Sequence, residues 1–233
     1  MKVSSGAMLI LIMSFFLLAG CSKETRESKA LYNDLMQNVD EINSLDSTAA
    51  IADKLSLYSQ ASHRIEILRT EYATTSKGEE IQSNPTLEGG ITIEDILDQA
   101  NEVKAEASTE LTEYEVRFIE LNTLPVSKAR NSRLEGYGIS LARQGDVDNA
   151  EAIIPHLVNT LSVAIVQLEV AKAYQQKGDY YSADEFYTAA SDNLGRYNFN
   201  ESICSTEECN NEETRARMVK TEMIQSRQRR YLN

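Results

Sequence analysis

Tryptophan is absent from these 233 residues, proline occurs three times and glycine ten times. So few helix breakers leave room for long helices and exclude a proline- or glycine-rich low-complexity chain. Histidine occurs only at His63 and His156, and neither has the spaced partners that a metal centre needs. Basic residues are also scarce, 23 Lys and Arg against 36 Asp and Glu, and the formal net charge of -13 repels nucleic acid and anionic headgroups. General nucleic-acid binding is therefore not expected. What is present is 42% hydrophobic residues, enough for a buried core and too much for a disordered chain. With Ala, Leu, Glu, Gln and Ser abundant, the expected class is all-α.

Catalytic signatures are missing as well. There is no HExxH, no P-loop and no dinucleotide fingerprint, and Ser140 in "GYGIS" (Gly136 to Ser140) is not flanked as a nucleophile elbow requires. "DVDNAE" (Asp146 to Glu151) lacks the glycine and distal glutamate of a calcium loop. No catalytic residue, metal site or dissociable cofactor is expected, and the chain does not read as an enzyme.

At the amino terminus, Lys2 is the only charge before Lys23, and Ala7 to Leu18 is an apolar run shorter than the ~20 residues of a spanning helix. It has the length of a signal-peptide core. The rival is an uncleaved anchor, since Val3 to Ser22 carries no charge and could just span if tilted. "LAGC", Leu18 to Cys21, resembles the lipobox of bacterial lipoproteins. That resemblance implies removal of residues 1–20, diacylglycerol on the Cys21 thiol and acylation of the new amino group. Several acyl chains hold a membrane durably where one does not. Ser22 and Lys23, rather than an aspartate, follow the cysteine, which by the same resemblance implies the periplasmic face of an outer membrane.

With Cys21 so assigned, Cys204 and Cys209 remain, in the segment 196–210. In an oxidising compartment they read as a structural disulfide, with a metal or redox pair as the alternative. The neighbouring Glu201, Glu207 and Glu208 disfavour the reactive thiolate that the alternative needs.

Apolar periodicity predicts a helical hairpin over 21–75, with stripes through Leu31, Leu35, Val39, Ile42 and Leu45, and through Ile51, Leu55, Tyr58, Ile65, Leu68 and Tyr72. Asp46 and Ser47 suit the cap between them. Residues 76–91 contain Gly, Pro, Asn and Ser without periodicity and read as a loop or linker. Residues 92–123 read as one long helix whose seam, Ile93, Leu97, Ala100, Lys104, Ala107, Leu111, Tyr114, Phe118 and Leu121, repeats every ~3.5 residues. Pro125 closes this half.

Beyond it, Arg133 to Leu157 aligns with Val166 to Ala190 at an offset of about 33 residues. Gly145 and Asp146 fall on Gly178 and Asp179, Ala150 on Ala183, Gly138 on Ala171, and Leu141 on Tyr174. The period and the small residues resemble the tetratricopeptide repeat, which implies two helix-turn-helix units over 126–195. Pro155 departs from that pattern and ends or kinks the second helix of the first unit. Residues 211–233 form a closing helix that offers Ala216, Val219, Met223 and Tyr231 to the repeats, with Glu212 and Glu213 near its start and Arg227, Arg229 and Arg230 near its end.

The functional expectation is a lipid-anchored envelope adaptor that binds a protein or peptide partner through the repeats. Tyr137, Tyr174, Tyr180, Tyr181 and Tyr187 are the candidate contact residues, because tyrosine gives large contact area at low entropic cost. Repeat core is the competing role, above all for Tyr174 and Tyr187. The alternative function is a structural or protective lipoprotein that spaces or homo-oligomerises through the long seam.

Overall fold

The computed structural model describes the backbone of residues 5–87, 89–197 and 206–229, and the side chains of 23–87, 89–197 and 211–228. Cys21, Cys204, Cys209 and Tyr231, with the anchor and disulfide expectations that rest on them, lie outside the described side chains. The protein is all-α: ten α-helices and one short 3-10 turn, with no strand among the described residues. The chain divides into two compact units, Met1–Leu124 and Pro125–Asn233. No helix among the described residues is long and apolar enough to cross a membrane.

The first unit is built around α2 (Ile51–Thr70), against which α1 (Ser5–Ser44), α3 (Ser76–Ser83), α4 (Ile93–Glu110) and α5 (Glu113–Asn122) pack. Leu35, Val39 and Ile42 of α1 bury the expected stripe. In α2 the buried set is Leu55, Leu57, Ala61, Ile65 and Leu68, wider than one stripe because neighbours approach it from several sides. The cap differs from expectation. α2 begins after Ala50 with no side-chain cap, while the Asp46 carboxylate accepts from the backbone N–H (2.9 Å) and hydroxyl (3.0 Å) of Thr48 and closes a turn.

Two boundaries also differ. Residues 76–83, expected as loop, form α3, capped by Thr75, whose hydroxyl accepts from Gly78 N–H at 3.2 Å. Only Ile81 anchors this short helix in the core, and one apolar residue has no periodicity to read. Gly78 is obligatory, since a Cβ there would lie 1.9 Å from the Tyr72 carbonyl oxygen. The expected single helix over 92–123 is two, because Leu111 and Thr112 are extended and Thr112 and Glu115 form a capping box. The seam changes face at that break, so Ala107 and Val116 pack on Leu55 while Tyr114 and Phe118 stack on each other at 5.7 Å.

The second unit comprises α6 (Lys128–Gln144), α7 (Val147–Ile153), α8 (Thr160–Gln176), α9 (Tyr180–Arg196) and α10 (Thr206–Arg229). Both turns of the two helix pairs are built alike. Gly145 (φ 84°) and Gly178 (φ 81°) take the left-handed conformation. The N–H groups of Gly145 and Asp146 return to Ala142 and Leu141, and those of Gly178 and Asp179 return to Gln175 and Tyr174. These are two Schellman ends, the device that glycine makes possible. Pro155 ends α7 at Ile153, and Ile154–His156 tightens into the 3-10 turn.

Candidate interaction surface of the second unit

At Gly138 the two helix pairs are in tight contact. A Cβ on it would meet Val166 Cγ1 at 3.0 Å and Ile153 Cγ2 at 3.4 Å, so α6 lies directly on α8. Ala150, Ala171 and Ala183 are fully buried at the other small-residue positions of the repeat pattern. α8 is buried nearly all round, from Leu161 to Ala173. Such enclosure makes every polar group on it costly unless partnered.

Those partners form a row of charges across α6, α8 and α10. Glu169, buried in α8, accepts from Arg143 Nε at 3.0 Å and from Lys172 Nζ at 2.6 Å. Burial opposes its ionisation, but the hydrogen bonds and charges of Arg143 and Lys172 outweigh that and hold the carboxyl below its ordinary range. Lys172 also donates to Glu222 of α10 at 2.5 Å. Glu135, buried in α6, receives Arg215 of α10, and Lys128 lies 3.7 Å from Glu212. Behind the row, Asn131 donates to Ser162 at 2.7 Å and accepts from Val158 N–H at 2.9 Å, tying the loop before α8 to α6.

The five candidate tyrosines are not one surface. Tyr187 is fully buried, donates to Gln175 Oε1 at 2.7 Å and belongs to the core. Tyr174, half-buried, stacks on Phe186 and donates to Glu151 at 2.6 Å, and that hydrogen bond, with some burial, pushes its phenol up to about 12. Tyr137 is half-buried on α6. Tyr180 and Tyr181 alone are open, 47% and 75% exposed at the start of α9. Periodicity does not reveal the charged row, although Glu169 inside the largely apolar "LSVAIVQLEVA" is its signal: a polar group in a buried helix demands partners.

α10 closes the unit as expected, with Val219 and Met223 joining Leu161, Ile165, Leu168, Tyr187 and Ala190. Its far face borders an open depression of about 580 Å³ lined by Thr214, Arg217, Met218, Thr221, Glu222 and Gln225. In the first unit, a cleft of about 340 Å³ contains Lys54, Tyr58, Gln99, Glu102 and Glu106. In it Tyr58 donates to Gln99, and Lys54 Nζ donates to the Ser47 carbonyl at 3.1 Å. Among the described residues no group of three His, Cys, Asp or Glu side chains is placed to hold a metal ion.

Compared with protein-family models, curated proteins and solved structures, the chain matches none.

Proposed function

We propose that this protein is a lipid-anchored envelope lipoprotein, held at the periplasmic face of an outer membrane by diacylglycerol and an N-acyl chain on Cys21, that acts as a non-catalytic adaptor. The adaptor role is supported by the pair of like-built helix-turn-helix units and by the open Tyr180 and Tyr181 at the start of α9. Exposed aromatic side chains on a rigid helix suit protein or peptide binding, because little side-chain freedom is lost on contact. The anchor is supported by the "LAGC" motif alone. The spacing alternative has less support, since the seam is interrupted at Leu111 and Thr112 and its Ile93 and Ala107 are buried within the first unit.

A photo-crosslinking amino acid at position 181, and another at the buried position 187, tests the adaptor in intact cells. A reproducible protein adduct from 181 and none from 187 is the expected result, and no adduct from 181 overturns it. The anchor is tested by mass spectrometry of the mature amino terminus and by Cys21→Ala, which should release the protein from the membrane fraction.

A further inference from the structure

We infer that α10 is a displaceable occupant of its seat on α6, α8 and α9, and that this seat accepts an amphipathic helix of the same pattern from a partner protein. The inference rests on the adaptor reading for the existence of a partner. The seat itself is defined by what the chain already places in it.

α10 is held differently from the helices beneath it. Eleven residues of α8 are buried, whereas of the side chains described for α10 only Val219, Met223 and Ser226 are. With half-buried Ala216, Val219 and Met223 give three apolar anchors along one face. Among its described side chains the other attachments are charged or polar and lie at intervals from Glu212 to Arg227. Glu212 accepts from Tyr197 at 2.7 Å and faces Lys128, Arg215 meets Glu135, and Glu222 meets Lys172. Arg227 donates to Thr188 at 2.9 Å and to Asp184 at 3.2 Å, over the Tyr187 ring. Ion pairs with one exposed partner contribute little each and are screened by salt. The attachment is therefore thin in apolar area and rich in electrostatic register, the makeup of a local opening unit rather than of a core element.

The other side of the contact stays built when α10 leaves. Glu135 is 3% exposed and its Oε2 has no hydrogen-bond partner among the described residues, so the seat presents an incompletely satisfied carboxylate. Lys172 is fixed by Glu169, and Leu161, Ile165, Leu168 and Tyr187 belong to the apolar cluster that Val219 and Met223 join. The ligand that fits is a helix with a small residue and two larger apolar residues spaced as Ala216, Val219 and Met223 are. An arginine stands directly before the first anchor and a glutamate before the last, as Arg215 and Glu222 do. Helix-in-groove recognition works through such anchors, with the flanking charges selecting register and direction.

The experiment uses the unlipidated chain from Ser22 to Asn233 and a fluorescent peptide of residues 211–228 as the probe. Arg215→Glu with Glu222→Lys, made in the protein, sets α10 against Glu135 and Lys172 while leaving the seat intact. The probe should then bind about tenfold or more tightly than to the unaltered chain, and a peptide carrying the same two reversals should not bind. Equal binding to both chains, binding to neither, or dimerisation of the variant by exchange of α10 overturns the inference. Hydrogen exchange on the unaltered protein is the second arm: α10 amides should exchange faster than those of α8 and faster still at about 0.5 M salt. Protection of α10 equal to that of α8 at both salt levels also overturns it. Neither arm depends on the cross-link at position 181, so the two readings can fail separately.

Discussion

Glu169 lies between the buried Leu168 and Val170, and its charge persists only because Arg143 and Lys172 reach it. Its folded value is held below the ordinary 4.5, so its contribution to stability is present above that value and is lost as pH falls through the lowered one. Glu169→Gln should cost on the order of 1–3 kcal/mol at neutral pH. It should also flatten the decline in urea-unfolding free energy on acidification; an unchanged acid limb would show that the pair contributes nothing. The tyrosines carry the opposite sign. Tyr174, hydrogen-bonded to Glu151, and Tyr197, half-buried and hydrogen-bonded to Glu212, are pushed up to about 12. An unfolded tyrosine ionises near its ordinary 10.0, so stability falls as pH rises from there toward the folded value. Tyr174→Phe with Tyr197→Phe should reduce that alkaline loss, read as the pH dependence of the melting midpoint. If both proteins lose stability in parallel, the two hydrogen bonds are not the cause.

Helix ends and helix spacing are separable at the element scale. Nothing lies within 4 Å of a Cβ added at Gly178, so Gly178→Ala tests backbone conformation alone and should cost about 1–2 kcal/mol for a left-handed alanine. Gly145→Ala should cost a similar amount, since its φ is similar and its nearest neighbour is the flexible end of Lys177. At Gly138 the conformation is helical and the obstacle is Val166, so Gly138→Ala should be substantially rescued by Val166→Ala, whereas Gly178→Ala should not. Chemical denaturation of the single variants and of the two double variants with Val166→Ala checks this contrast. The Gly-Asp turns and the small residues were legible in the sequence because each has a local mechanical role at a fixed offset. The breaks in the first unit were less so. "TEYE" from Thr112 to Glu115 has the capping-box pattern, but the apolar seam ran across it and the longer period masked the local signal. α3 left almost no trace, since Ile81 is docked by tertiary contacts rather than by a periodic face. Residue type alone cannot separate Tyr187 in the core from Tyr181 on the surface.

For the whole molecule, the division at Leu124 and Pro125 follows from a proline that cannot continue α5, and on each side the chain has built a core of its own. Leu35, Ile65, Leu68, Ile93 and Ile96 belong to the first unit's core, and Leu161, Leu168, Ala183 and Tyr187 to the second's. Leu134, fully buried in α6, is a clean lever on one of them. Leu134→Ala should cost about 2–5 kcal/mol by loss of burial and the cavity left behind. Measured by hydrogen exchange with mass spectrometry, the loss of protection should concentrate in α6 to α9, while peptides covering Leu55, Ile65 and Leu68 keep theirs. Equal loss in both units would mean that they open as one cooperative body. The distinction bears on the adaptor reading, since a partner-binding unit that opens by itself can exchange α10 for another helix without loosening the unit that follows the proposed anchor at Cys21.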